Sequence, residues 1–138
     1  MKVGILKETL QSELRVAAAP KTVVRLKKQG FEVLVESGCG LRAKFPDEEY
    51  VTAGAEVVPS AKELCSLSDI ILKVQPPTEE EVGLMKSGTL LLSYLFPAQN
   101  LPLLGKLADA GINAIAMDAI PRISRAQKMD VLSSMANI

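Results

Sequence analysis

The segment Asp69-Ile70-Ile71-Leu72-Lys73-Val74 is a short apolar run that a single lysine interrupts. An apolar run of this length that does not alternate with polar residues is typical of a strand buried on both faces of a parallel sheet. Similar runs recur along the chain and are separated by stretches with a helical pattern. The predicted strands cover residues 3–6, 31–35, 56–58, 70–74, 89–95 and 112–117.

The stretches between these runs carry residues typical of helix ends. Pro at a first turn and Gly just after a last turn are the expected asymmetry, and Ser, Thr, Asp and Asn are the preferred N-caps. The predicted helices cover residues 20–29, 48–53, 61–67, 79–87 and 101–110, and the last four follow Asp47, Ser60, Thr78 and Asn100 as caps. Strands that alternate with helices predict an α/β fold with helices on both faces of a mostly parallel sheet.

The composition is that of one ordinary globular domain over residues 1–138. Lys plus Arg number 16 and Asp plus Glu number 16, so net charge gives no reason to expect nucleic acid as a partner. The first eight residues include the charged Lys2, Lys7 and Glu8, and no run of about 18 apolar residues occurs, so we expect neither a signal peptide nor direct membrane insertion.

Cysteine and histidine usage limits the chemistry of the chain. Two cysteines, Cys39 and Cys65, are too few for a disulfide framework, and both are interpreted as reduced thiols. There is no histidine, the commonest general acid or base and the commonest metal ligand. We therefore expect no metal site and a reaction that needs no imidazole.

The chain ends within a predicted helix. Residues 127–137 have the pattern of a helix start, and no stop signal follows before Ile138. The apolar stripe of this helix needs a partner surface, and it consists of Val131, Leu132, Met135 and Ile138. Either the helix packs on this domain as a terminal helix, or the chain continues; we expect a longer chain.

One glycine-rich segment fits a dinucleotide fingerprint by spacing alone. Gly38-Cys39-Gly40-Leu41-Arg42-Ala43 matches G-x-G-x-x-A and follows a predicted strand. The motif works only if a helix N-terminus opens there to face the pyrophosphate, and Pro46 follows too soon for such a helix. We interpret the segment as an unrelated turn and find no other phosphate loop.

Polar residues near the carboxyl ends of predicted strands are candidates for a cleft. Lys7 and Glu8 follow the first strand, and Arg15 lies in the loop beyond it. Lys73 stands late in a buried strand, where an unpaired ammonium is costly, so it must reach an opening or a charge partner. The alternative for Lys73 is a side chain that snorkels to the surface. Arg15 is the weaker candidate, since arginines are common in loops.

The densest polar segment is residues 118–134, between the last strand and the final helix. Gln127, Asp130 and Ser134 are three to four residues apart and share a helical face, and Asp130 and Ser133 do likewise. Such groups are suited to holding a polar ligand through directional bonds. A charged surface loop followed by a capped helix is equally compatible with the pattern.

The segment Pro121-Arg122-Ile123-Ser124-Arg125-Ala126-Gln127, continued through residues 129–137, resembles the nucleotide-site loop and following helix of proton-translocating NAD(P) transhydrogenase. Supporting segments are residues 13–17, 20–23, 35–38, 53–56, 70–74 and 96–100, which are shared with alanine dehydrogenases. The resemblance covers essentially the whole chain and implies a Rossmann-like (flavodoxin-like) three-layer fold. It also implies that the chain is the incomplete first domain of a two-domain NAD(H)-binding component, the alpha subunit.

The resemblance implies a role for the polar segment. Arg122, Gln127, Asp130 and Ser133 would reach the nicotinamide end of NAD(H) across an interdomain cleft, and Gln127 would also touch the partner that carries NADP(H). The dinucleotide fingerprint would lie in a downstream domain. Implied partners are an NADP(H)-binding component, a membrane component and a second copy of the subunit. The implied location is the cytoplasmic side of the inner membrane, or the matrix side in a eukaryote.

A difference from alanine dehydrogenase separates the two branches of the family. That enzyme resembles this chain at Arg15 and Lys73, which would bind its substrate, but it has a histidine at or near the position of Phe96. Breaking a carbon–nitrogen bond needs a positioned acid or base, whereas hydride transfer between two nicotinamides needs alignment. Transhydrogenation is therefore favoured; an amino-acid dehydrogenase fragment and a non-catalytic assembly module are the alternatives.

Overall fold

A computed structural model describes residues 1–119, which form one six-stranded sheet flanked by helices. The strands are β1 (Lys2–Ile5), β2 (Glu32–Glu36), β3 (Glu56–Val58), β4 (Ile70–Leu72), β5 (Leu90–Ser93) and β6 (Asn113–Ala116). Their order is β3-β2-β1-β4-β5-β6, and every neighbouring pair is parallel. This is the order of a doubly wound Rossmann fold, so the predicted α/β, Rossmann-like class is confirmed.

Two layers of helices cover the sheet. Helices α1 (Pro20–Lys28) and α2 (Asp47–Ala53) lie on one face, and α3 (Ala61–Leu67), α4 (Glu79–Leu84) and α5 (Leu101–Asp109) lie on the other. The chain moves from β1 out to β3, then returns to β4 and continues to β6; right-handed crossovers in these two directions place the helices on opposite faces. Two separate hydrophobic clusters result, one on each side of the sheet.

Two of the predicted helix caps are confirmed. The Ser60 hydroxyl accepts a hydrogen bond from the Glu63 amide at the start of α3. Thr78 and Glu81 form a capping box on α4, in which each side chain accepts from the other residue's backbone amide. The acidic first turn of α4 adds a favourable interaction with the helix dipole.

Of the other two predicted caps, Asp47 is wrong, whereas Asn100 takes the N-cap position without a cap hydrogen bond. Asp47 is the first residue of α2 rather than its cap, because its carboxylate accepts from the Ser37 hydroxyl and the Gly38 amide. Asn100 stands at the start of α5 but makes no cap hydrogen bond; its side-chain amide donates to the Leu95 carbonyl at 2.8 Å. The Asp47 carboxylate and the Asn100 side-chain NH2 group are thus bonded outside their helices, by contacts that the sequence around the helix start does not reveal.

The glycine-rich segment forms a turn, as predicted. A 3₁₀ turn covers Leu41–Ala43, and Lys44 then adopts a left-handed conformation (φ 69°), so no α-helix opens at this point. A Cβ atom on Gly40 would lie 2.7 Å from both the Phe45 carbonyl oxygen and the Tyr50 ring. The segment therefore packs against its own domain and presents no helix N-terminus to a phosphate.

Both cysteines are buried free thiols, in agreement with the prediction. Burial raises the pKa of Cys39 to about 12 and that of Cys65 to about 12, so neither is a nucleophile near neutral pH. Within residues 1–119, none of the helices has the length and apolar character that crossing a bilayer requires.

Candidate functional site

The strand order reverses between β1 and β4, and the candidate site lies at the carboxyl ends of these two strands. In open α/β sheets this switch point is where a crevice opens and ligands bind. Glu8 follows β1 and Lys73 follows β4, and the Lys73 Nζ lies 2.9 Å from the Glu8 Oε1 atom. A second carboxylate oxygen, Glu81 Oε1 from α4, lies 3.9 Å from the same nitrogen.

Lys73 is fully inside the protein, with a side chain only 1% exposed. The snorkelling interpretation is therefore wrong, and the predicted need for a charge partner is met by Glu8. The Glu8 carboxylate also accepts from the Val74 and Gln75 amides at 2.8 and 3.0 Å. These bonds occupy the Val74 and Gln75 amides, and the strand ends at Leu72, earlier than the apolar run predicts.

A second ion pair stands beside the first. Glu13 accepts from the Arg15 guanidinium through two bonds of 3.0 Å and from the Gln75 side-chain amide at 2.7 Å. The bonds from Arg15 and Gln75 outweigh the cost of burial and lower the pKa of Glu13 to about 2. The Arg15 guanidinium also lies over the Tyr94 ring, 5.8 Å from its centroid, which is a cation–π distance.

Gln75 joins the two ion pairs, because its backbone amide donates to the Glu8 carboxylate and its side-chain amide donates to the Glu13 carboxylate. Beside it opens a cavity of about 370 Å³, lined by Thr9, Leu10, Lys73, Gln75, Pro76 and Thr78. Arg42 fixes the loop over this cavity by donating to the Leu10 carbonyl at 2.8 Å and to the Gln11 and Glu13 carbonyls at 3.4 and 3.3 Å. The charged groups at this crevice are thus already paired with one another.

The rim of the site beyond β5 contains aromatic residues. The Tyr94 and Phe96 rings are stacked, with centroids 6.1 Å apart and planes at 24°. The Asp118 carboxylate, which follows β6, accepts from the Leu95 and Phe96 amides and fixes this rim. Arg15, Tyr94 and Phe96 therefore form a continuous row of planar groups along the carboxyl edge.

Residues 4–138 match the family described as Alanine dehydrogenase/PNT, N-terminal domain. The chain belongs to this family.

The proteins that this chain resembles include both transhydrogenases and alanine dehydrogenases. The NAD(P) transhydrogenase subunit alpha of Haemophilus influenzae is 50% identical over 138 residues, which is all of this chain and 27% of that protein. The crystal structure of transhydrogenase from Sinorhizobium meliloti superposes with a TM-score of 0.89 at 42% identity, covering 97% of this chain and 40% of that one. An L-alanine dehydrogenase structure gives 0.81 at 39% identity, covering 85% and 32%.

The chain spans only about a quarter to about two fifths of the length of these family members. Of the residues that the sequence nominated, the structure brings Glu8, Arg15 and Lys73 to one edge of the sheet. It connects Arg15 to Lys73 only indirectly, through Glu13, Gln75 and Glu8. The loop and helix that carry Arg122, Gln127, Asp130 and Ser133 lie outside the described residues.

Several residues at the crevice were not predicted from the sequence. The pairing of Glu13 with Arg15 could have been predicted, because Glu13 stands two residues before Arg15 in the same loop. The place of Gln75 at the crevice could also have been predicted, because Gln75 follows Lys73 by two residues. The contact of Tyr94 with Arg15 had no sequence signal, since the two residues come from different strands' loops.

Proposed function

We propose that this chain supplies the first half of the NAD(H) cleft of a proton-translocating NAD(P) transhydrogenase. The complete protein would transfer hydride between NAD(H) and NADP(H), coupled to proton movement by other components. The observation that carries the proposal is similarity along the entire chain to a protein named NAD(P) transhydrogenase subunit alpha, at 50% identity. Identity to a protein named alanine dehydrogenase over the same residues is 36%.

The geometry of the crevice also supports a transhydrogenase. Lys73 and Arg15 are each hydrogen-bonded to a carboxylate at this edge of the sheet, and the chain has no histidine. Hydride transfer between two nicotinamide rings needs aligned rings and exclusion of water, and it needs no group to move a proton. A rigid, charge-paired edge is suited to positioning a ring.

In this proposal the polar segment after β6 acts at the nicotinamide end. Arg122, Gln127, Asp130 and Ser133 would contact that end of NAD(H), and Gln127 would also touch the NADP(H)-bearing partner. Asp118, the first residue of this segment, lies at the carboxyl edge, where its carboxylate accepts from the Leu95 and Phe96 amides. The pyrophosphate and adenosine would be held by a domain downstream in the complete protein.

The complete assembly would contain further chains. We propose an NADP(H)-binding component and a membrane component as partners, and a homodimer of the NAD(H)-binding component. The chain would sit on the cytoplasmic side of the inner membrane, or on the matrix side in a eukaryote, held there by its partners.

An amino-acid dehydrogenase is the second candidate. It is favoured by one observation: Arg15 and Lys73 lie at the same edge of the sheet, linked through Glu13, Gln75 and Glu8, and two cations are suited to a substrate carboxylate and carbonyl. Phe96 and the absence of histidine weigh against it, because that reaction needs a proton carrier.

Reconstitution separates the two candidates. The chain is combined with the downstream nucleotide domain and the NADP(H)-binding component, and two reactions are assayed in parallel. We expect hydride exchange between NADH and an NADP⁺ analogue, and no L-alanine-dependent reduction of NAD⁺. Alanine-dependent reduction without hydride exchange would establish the dehydrogenase instead.

A further inference from the structure

Phe96 has a backbone conformation that a phenylalanine rarely adopts. It lies in the left-handed region, with φ 46° and ψ 61°, where the Cβ atom of an L-residue crowds the backbone. Phe96 is 40% exposed, so the rest of the described protein covers it only in part. Among residues 1–119, Lys44 is the one other non-glycine residue with positive φ.

Contacts from two different elements hold Phe96 in this conformation. The Asp118 carboxylate accepts from the Leu95 amide at 2.9 Å and from the Phe96 amide at 3.0 Å. The Asn100 side-chain amide donates to the Leu95 carbonyl at 2.8 Å and to the Phe96 carbonyl at 3.4 Å. Leu95 itself is buried in the core, so the turn is anchored on both sides of the strained residue. Strain that the surrounding structure maintains in this way is typical of functional sites.

The fixed turn presents the Phe96 ring at the carboxyl edge of the sheet, beside other planar groups. The ring stacks on Tyr94 at 24°, and the Arg15 guanidinium lies over Tyr94. Aromatic rings and guanidinium groups stack favourably on other planar π systems. An exposed aromatic ring at the end of such a row is therefore suited to a flat heteroaromatic ligand.

We propose that Phe96 is a positioning residue that packs against the nicotinamide ring of NAD(H) and keeps water from it. This inference rests on the proposed function and adds a ring contact from the β5 edge to the polar contacts proposed for the segment after β6. The contact requires no proton transfer, which is consistent with an apolar ring at this position.

The test is a titration of the ¹⁵N-labelled chain followed by NMR, which detects weak binding. NADH is compared with ADP-ribose, which keeps the adenosine and the pyrophosphate but lacks nicotinamide. We expect the amide signals of Leu95 and Phe96 to shift in a saturable manner with NADH and to stay unchanged with ADP-ribose. Equal shifts with both ligands would overturn the proposal.

Substitutions at position 96 add a second readout. Phe96→Leu keeps an apolar side chain but loses the aromatic face, and we expect NADH affinity to fall by about three- to ten-fold. Phe96→Trp keeps an aromatic face and should retain wild-type affinity. Val51→Ala changes an exposed apolar residue on α2 and serves as the control, which should leave NADH affinity unchanged. Unchanged affinity in Phe96→Leu would contradict the ring contact.

The pattern of shifts separates this proposal from the proposed function. NADH-dependent shifts at Thr9 and Gln75 without any at Phe96 would refute the ring contact and leave the half-cleft intact. The absence of shifts at any residue, even with millimolar NADH, would count against both.

Discussion

At the scale of single residues, the buried pair of Glu8 and Lys73 dominates the crevice. Removing one partner of a buried pair leaves the other charge uncompensated, which costs about 3–5 kcal/mol. We therefore expect Lys73→Met to lower the free energy of unfolding by an amount of this order. Glu8→Gln should cost less, because its amide oxygen can still accept from a backbone amide and Glu81 remains 3.9 Å from Lys73.

A double-mutant cycle measures how strongly the two residues are coupled. The double variant Glu8→Gln with Lys73→Met removes both charges, so its cost should be smaller than the sum of the two single costs. Urea unfolding of the four proteins gives the coupling free energy. Additive effects would show that the two groups do not interact in solution.

Glu13 makes the stability of the domain depend on acid pH. Its hydrogen bonds to Arg15 and Gln75 lower its pKa from 4.5 to about 2 on folding. The stabilisation is therefore present above pH 4.5 and is lost as the pH falls through about 2. Burial raises the pKa of Glu36, so the ionisation of Glu36 changes the stability with pH in the opposite direction. The contribution of Glu13 is therefore measured as the difference in unfolding free energy between the wild type and a variant at Glu13.

The matched variant is Glu13→Gln, which keeps the shape of the side chain and removes its ionisation. We expect the free energy of unfolding of the wild type to exceed that of this variant near neutral pH, and the gap to close in the acid range. Urea unfolding at a series of pH values measures the gap. A gap independent of pH would mean that the Glu13–Arg15 contact is not formed.

The sequence revealed some of these residues but not how they pair. Lys73 stood out because a lysine in a buried strand needs a partner, and that reasoning was correct. Its partner was not identifiable, since Glu8 lies 65 positions away and many carboxylates were available. The left-handed conformation of Phe96 was also invisible, because Asp118, which fixes it, comes from another strand's loop.

At the scale of elements, the capping box at Thr78 holds the start of α4 beside the crevice. Its hydroxyl accepts from the Glu81 amide at 3.1 Å, and Thr78 also lines the cavity. Loss of an N-cap typically costs about 1 kcal/mol, so Thr78→Ala should reduce stability by that amount and Thr78→Ser should not. Thermal unfolding of both variants tests this; an equal loss in Thr78→Ser would point to methyl packing instead.

Most elements were predictable from local signals, and their ends were less so. Six apolar runs became the six strands. The inner strands β2, β1, β4 and β5 are mostly buried between the two helical layers, whereas β6 is half exposed. Caps at Ser60 and Thr78 depend only on residues three positions along the chain and were predicted correctly. Asp47 was wrong as a cap, and Asn100 was right in position but makes no cap hydrogen bond; in both cases a residue outside the helix binds the side chain.

At the scale of the whole molecule, strand order determines where the crevice lies. The sequence predicted a parallel sheet but not which strands are neighbours, because pairing depends on contacts across the entire chain. The reversal between β1 and β4 brings Glu8 and Lys73 together from distant segments. A ligand site at this edge follows from topology, while its chemistry follows from the side chains.

The proposed division of the cleft predicts weak nucleotide binding by this chain alone. The pyrophosphate and adenosine contacts would belong to the downstream domain, and the nicotinamide end provides little affinity by itself. Calorimetry with NADH should give a dissociation constant in the millimolar range. A micromolar constant would mean that this chain holds the dinucleotide without a second domain.

The most direct test of the half-cleft is single-turnover hydride transfer in the complete protein carrying Gln127→Asn or Arg122→Ala. If these residues position the nicotinamide ring, the transfer rate should fall far more than NADH affinity does, because orientation is lost while the main binding contacts remain. Transfer rates equal to those of the wild type, at saturating NADH, would contradict a role for this chain in positioning the ring.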